Sequence, residues 1–168
     1  NLILNYINNS KRKIKYIIAP HEISKNPARI KKNIAVNSIL YSNIELNTNL
    51  SEYSCLIIDN IGMLSSLYSF STISYVGGGM GKKGLHNTLE PAFFSKPIII
   101  GKNYYKFEEA TEMIQNGNMI SISNYNEFYN AFESLLDNEN LLLKMSKKCK
   151  EYFNKNKGAV KIILNDLK

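Results

Sequence analysis

Five glycines, Gly77, Gly78, Gly79, Gly81 and Gly84, fall within eight residues, directly after the apolar run Ile73 to Val76. Glycine loses more backbone freedom on folding than any other residue, so such a cluster needs a local reason. Left-handed backbone and close approach of a ligand are the usual ones. The segment His86-Asn87-Thr88-Leu89-Glu90-Pro91 follows, with Asn87 placed as a helix N-cap and Glu90 three residues on. A strand, a glycine loop and a helix N-terminus together make an anion site, because unbonded N–H groups and the helix dipole point into the same space. The chemistry this predicts is a grip on the phosphate of a nucleotide-linked sugar. His86, Asn87 and the helix amides would face the phosphate. Glu90 would accept from ribose hydroxyls, since two carboxylate oxygens suit a vicinal diol. A structural reading stands beside it: a tight strand-to-helix connection explains the glycines, and capping explains Asn87 and Glu90.

Other phosphate motifs fit less well. Gly79 to Gly84 matches G-x-G-x-x-G after a strand, but it lies in mid-chain, and the next strand ends in Gly101-Lys102 with no acid for a ribose. A P-loop fails too, because Gly77 to Gly81 is one residue short and Lys82 is followed by Lys83. The two histidines, His21 and His86, both sit at predicted strand ends, where open α/β sheets bind ligands. No Cys or carboxylate cluster joins them, so no metal is expected. Asp59 also closes a strand, there either to cap the next helix or to hold a loop that packs a base.

The elements that must position these residues alternate. Strands are predicted over 14–19, 37–42, 55–58, 73–76, 97–100 and 119–122. Helices are predicted over 2–9, 27–35, 61–70, 88–94, 107–116, 127–136, 139–153 and 158–167. In the helix over 61–70, Leu64, Leu67 and Tyr68 are expected to face inward. Cys55 to Ile58 and Pro97 to Ile100 are continuous apolar runs, the mark of strands buried on both faces. Gly117 is a good helix stop. The fold class is therefore α/β: a Rossmann-like open parallel sheet of about six strands with helices on both faces.

Composition narrows the class further. At 168 residues with 44% hydrophobic and 21% charged content, the chain is one globular domain or a large piece of a longer protein. It begins in mid-pattern at Asn1 without Met, and the expectation is a fragment. No apolar run approaches the ~20 residues of a membrane span. The net charge of +7 comes almost wholly from dispersed Lys, with local runs at Lys11-Arg12-Lys13 and from Lys144 to Lys150. Two Arg are few for a dedicated nucleic-acid reader, and the tyrosines are not interleaved with Lys on one face. Cys55 and Cys149 read as core thiols in a reducing compartment.

The string from Asp59 through Gly62, Leu64, Leu67 and Tyr68, then Tyr75-Val76-Gly77-Gly78, then Gly84-Leu85-His86-Asn87-Thr88-Leu89-Glu90-Pro91, then Lys96 to Gly101, resembles the C-terminal half of 3-deoxy-D-manno-octulosonic acid (Kdo) transferase. Ala19-Pro20-His21-Glu22 resembles that family's Pro-Arg-His-Glu segment. The likeness covers nearly the whole chain in the right motif order.

The resemblance implies one half of a GT-B glycosyltransferase, with residues 1–168 as the C-terminal domain that binds the donor CMP-Kdo. It implies no cofactor and no metal for the transfer. Kdo would move to a lipid A precursor at the cytoplasmic face of the bacterial inner membrane, in lipopolysaccharide biosynthesis. By resemblance, Gly77, Gly78, Gly79, His86 and Asn87 surround the donor phosphate and Kdo, and Glu90 takes the ribose. Pro20, His21, Ile61 and Gly62 line the cytidine pocket. The catalytic base, the acceptor site and the membrane association would belong to an N-terminal region outside this chain, so no catalytic residue is expected here and the fragment alone should be inactive. The chain departs from the family where Pro20 meets His21 without the intervening Arg, for which Lys25 or Arg29 could substitute. It departs again at Gly79, where many relatives carry Ser or Thr. The missing Arg leaves a UDP-sugar donor open. A basic nucleic-acid-binding module and an interaction domain without catalysis are the readings from other classes.

Overall fold

A computed structural model describes residues 2–24, 26–82 and 84–156. The helix expected over 158–167 lies outside the described residues. Among the described residues six strands are present, and they pair in two sets of three. The chain divides into two compact units, residues 1–64 and 65–168.

In the first unit, helix α1 (Leu2–Asn9), strand β1 (Tyr16–Ile18), helix α2 (Asn26–Asn33), strand β2 (Ser38–Leu40) and strand β3 (Cys55–Ile57) follow one another. The sheet order is β1-β3-β2, all parallel, with Ile18 and Leu40 both registered on Ile57. Ile7 of α1 and Ile30 of α2 bury against Cys55 and Ile57. Asn8 ties the two helices by donating to Asn33 O at 2.9 Å and accepting from Ala35 N at 2.8 Å.

The second unit holds the one-turn helix α3 (Leu64–Leu67, its first residue closing the first unit), strand β4 (Ser74–Val76), helix α4 (Leu89–Phe93), strand β5 (Ile98–Gly101), helix α5 (Glu108–Gln115), strand β6 (Met119–Ile122), and helices α6 (Tyr125–Asp137) and α7 (Glu139–Lys155). Its sheet order is β4-β5-β6, again all parallel. Ile98, Ile99 and Ile100 of the central strand are 0% exposed, as a strand covered on both faces requires. Met113, Cys149 and Tyr152 pack on the β5 side chains. Helix ends are satisfied locally. Asn124 and Glu127 form a capping box, with Asn124 Oδ1 accepting from Glu127 N at 3.0 Å and Glu127 Oε2 accepting from Ser123 N at 2.7 Å. Gly117 has φ +68°, and Lys148 donates to Asn116 O at 2.6 Å beyond the end of α5.

One segment differs from expectation. Residues 61–70 do not form a continuous helix, but one α turn followed by a 3₁₀ turn at Tyr68–Phe70. Leu64, expected inward, is exposed, while Leu67 and Tyr68 are half-buried. The serines are the physical reason. Ser69 Oγ donates to Ser66 O at 2.7 Å and Ser71 Oγ to Tyr68 O at 2.9 Å, bonds that compete with helical pairing.

Candidate functional site

Parallel strands end at one edge, so the loops leaving β4 and β5 emerge side by side. They are bonded there: Asn103 N donates to Gly79 O at 2.8 Å, and Asn103 Nδ2 donates to Gly81 O at 2.9 Å. Within the first loop, Gly81 N donates to Gly78 O at 3.3 Å, and His86 N donates to Gly77 O at 3.1 Å, which closes residues 77–86 into a ring.

The glycines have separate tasks. Gly78 has φ +90°, and a Cβ there would strike Gly84 O and come within 3.0 Å of His86 Cδ2. Gly79 is buried, and a Cβ would stand 2.9 Å from Gly101 O. Gly77 and Gly81 carry neither constraint. The imidazole of His86 therefore lies against the Gly77-Gly78 backbone, with its residue exposed to solvent. Among the described residues, no backbone carbonyl accepts from the N–H of Gly78, Gly79 or Met80. Buried or half-buried amides without an acceptor are uncommon in native proteins, and a run of three is a candidate for binding an anion.

The segment after the loop is organised around Asn87. Its Oδ1 accepts from Leu89 N at 3.0 Å and its Nδ2 donates to Glu90 Oε1 at 3.0 Å. The expected capping box does not form here. Thr88 already has helical φ −96° and ψ −14°, so the turn begins beyond Asn87, and Glu90 bonds the Asn87 side chain instead of a backbone N–H. Helix α4 spans five residues, too short for a sizeable macrodipole. The attraction for an anion must come from the loop amides and His86. Tyr68 stands near Glu90: burial, and secondly the Glu90 carboxylate, push its phenol up to about 12. Thr88 is 1% exposed and its hydroxyl has no partner among the described residues.

Pro20, His21, Ile61 and Gly62 belong to the first unit. They follow β1 and β3, adjacent parallel strands, and so share one sheet edge. His21 is exposed, Ile61 is 88% exposed, and Gly62 has φ +94° with open space where a Cβ would go. Asp59 holds a loop and does not cap α3. Its carboxylate accepts from both the N–H and the hydroxyl of Ser42, joining the exits of β2 and β3. The Ser42 hydroxyl keeps this carboxyl below its ordinary range.

The structure thus gathers Gly77, Gly78, Gly79 and His86 in one ring, pairs Asn87 with Glu90, and has Pro20 and His21 follow one strand and Ile61 and Gly62 its parallel neighbour. Sequence reasoning missed Asn103 and did not single out Tyr68 and Thr88 as site residues. Asn103 was findable in principle, since it follows the strand registered beside β4. Among the described residues, no three His, Cys, Asp or Glu side chains are placed to hold a metal ion. No described helix is long and apolar enough to cross a membrane. Both cysteines are buried in cores, and burial pushes each thiol up to about 12.

No protein-family model matches the chain. Several curated proteins do. A 3-deoxy-D-manno-octulosonic acid transferase of Rickettsia prowazekii is 34% identical over 175 aligned positions, covering 99% of this chain and 35% of the relative. The transferase of the same description from Haemophilus influenzae is 33% identical over 112 residues, covering 66% of this chain and 26% of the relative. A bifunctional glycosyltransferase/methyltransferase of Fusobacterium nucleatum is 33% identical over 128 residues, covering 74% of this chain and 20% of the relative. The chain spans between a fifth and about a third of the length of these relatives. Among solved structures, the C-terminal CMP-Kdo binding domain of WaaA from Acinetobacter baumannii superposes with a TM-score of 0.76 at 19% identity, over 90% of this chain and 79% of that one. The α/β fold is therefore that of a GT-B half, and the sequence resembles the C-terminal part of the Kdo transferases.

Proposed function

We propose that this chain is the donor-binding part of a Kdo transferase and takes CMP-Kdo as its ligand. The carrying observation is the run of three amides, Gly78 to Met80, without a carbonyl acceptor among the described residues at the end of β4. The donor phosphate would lie on these N–H groups, with His86 against the same backbone. Glu90 has one oxygen engaged by Asn87 Nδ2 and lone pairs left for ribose hydroxyls. Asn87 then orients Glu90, in addition to shaping the turn at Leu89. Pro20, His21, Ile61 and Gly62 would receive the cytosine ring.

The chemical contribution is leaving-group stabilisation. As the bond between Kdo and phosphate breaks, negative charge grows on the phosphate of CMP. Fixed amide dipoles accommodate that charge with little reorganisation. A base to deprotonate the acceptor would come from an N-terminal domain, as would the site for a lipid A precursor and the association with the cytoplasmic face of the inner membrane. The chain by itself is proposed to bind CMP weakly and to transfer nothing.

Titration of the 15N-labelled chain with CMP and with UMP tests this. CMP should move the amide resonances of Gly78, Gly79, Met80 and Glu90, and UMP should move them less at equal concentration. Equal response to UMP would point to a UDP-sugar donor. No response of these amides to either nucleotide would remove the donor-site reading.

A further inference from the structure

At the opposite edge of the first unit's sheet, where the strands begin, lies a cavity of about 260 Å³. Its lining includes Ser10, Arg12, Lys13, Lys15, Tyr16 and Ser54, and no carboxylate is among its lining residues. Arg12 and Lys13 of the basic run Lys11-Arg12-Lys13, which the donor site does not use, line it. Lys15 is fixed there, its ammonium donating to Ser51 O at 2.7 Å and to Tyr53 O at 2.5 Å. Carbonyls orient this ammonium without neutralising it, and an ammonium has a third N–H to donate.

The last turn of α2 contributes Lys31 and Lys32, and the Asn8 bonds hold that turn against the end of α1. The carboxylate placed closest along the chain, Glu52, accepts from Asn49 Nδ2 at 2.8 Å and lies on the exposed turn before β3. Ile7 and Val36 supply an apolar floor. A floor of low polarizability beneath several cations strengthens their attraction for an anion relative to a flat, wet Lys surface. The volume lies just below the range of about 300–1,000 Å³ usual for drug-sized ligands, so it suits one phosphate with a short substituent and not a whole nucleotide sugar.

We propose that this cavity is a second anion site, which takes a phosphate ester through Arg12, Lys13 and Lys15, with Ser10 and Ser54 able to bond its oxygens. The ester belongs either to a soluble metabolite or to a phospholipid headgroup. The proposal does not rest on the donor-site reading, because no residue lining the cavity belongs to the donor site.

The experiment uses inorganic phosphate and vesicles with the 168-residue chain. Phosphate should move the amides of Ser10 to Lys15 and of Ser54. Arg12→Gln/Lys13→Gln, two exposed positions, should weaken that response about tenfold or more, by loss of two charge-assisted bonds. The response of Gly78 to Met80 to CMP should stay as in the parent chain, which separates failure here from failure of the donor site. Co-sedimentation with phosphatidylglycerol vesicles, but not with phosphatidylcholine vesicles, would assign a lipid headgroup. A phosphate response without co-sedimentation would assign a soluble ester. No movement at Ser10 to Lys15 with either probe, or an unchanged response in the double variant, would overturn the proposal.

Discussion

Gly101 separates a glycine needed for packing from one kept for a ligand. Its φ is not in the left-handed region, so Gly101→Ala carries no backbone penalty and acts through space alone. The added Cβ would stand 2.5 Å from Gly79 O, and closer still to Gly79 C and Met80 N, where ordinary contact begins at 3.4 Å. All three atoms are backbone, so no rotamer change relieves the clash. The two loops must separate by about 1 Å, the difference of those distances. That would stretch the bond from Asn103 N to Gly79 O from 2.8 Å to well past bonding range, and would strain the one from Asn103 Nδ2 to Gly81 O at 2.9 Å. Two bonds at about 1 kcal/mol each, with overpacking of about 1–3 kcal/mol, give a loss of about 3–5 kcal/mol. Urea unfolding followed by circular dichroism measures it. Because Met80 N is displaced, CMP affinity should fall as well. Gly81→Ala is the control: a Cβ there meets nothing within 4 Å, so stability should hold or rise by about 0.4–1 kcal/mol. If Gly101→Ala cost under about 0.5 kcal/mol and left CMP binding intact, the packing argument for this loop would be refuted.

Three further outcomes follow from single contacts. Thr88→Val replaces a buried hydroxyl that has no partner by a methyl of the same shape, so it should be neutral or stabilising by up to about 1–2 kcal/mol; clear destabilisation would reveal a bond to that hydroxyl. The Asp59 carboxyl is held below its ordinary range, so its stabilising effect is present above the unfolded carboxylate range and lost as pH falls through the lowered folded value. Asp59→Asn should therefore lower the urea midpoint at neutral pH, with a gap that closes in acid, and a gap constant with pH would refute the assignment. Tyr68 is pushed from 10.0 up to about 12, so the folded state keeps a proton that the unfolded chain loses; stability should decline as pH rises from about 10, and less steeply in Tyr68→Phe.

The order of elements was legible because period and punctuation agreed over most of the chain. Ile98 to Ile100 read as a doubly covered strand and is one, since three β-branched residues between a proline and a glycine suit little else. Residues 61–70 misled because Leu64, Leu67 and Tyr68 have helical spacing while the serines around them divert backbone acceptors, a competition that periodicity does not register. At the site, the glycine cluster was visible but its division of labour was not. That division depends on Gly101, 22 residues beyond Gly79 and brought to it only by strand register. The pairing of Asn87 with Glu90 was foreseen as a contact but not in its atoms, because Thr88 takes up the helical conformation that Asn87 was expected to precede.

The division among the glycines also bears on the absent hydroxyl at position 79. A Ser or Thr side chain there could not be accommodated while Gly101 O stands 2.9 Å from the Cβ position. In this chain the contact between loops and a hydroxyl at 79 exclude one another. What the loop forgoes as a side-chain donor, it retains as backbone: the close approach at Gly101 packs residues 78–80, whose three N–H groups have no carbonyl acceptor among the described residues. Packing at Gly79 and the proposed binding at Gly78 and Met80 are two consequences of one constraint, and a substitution that relaxes the first should disorder the second.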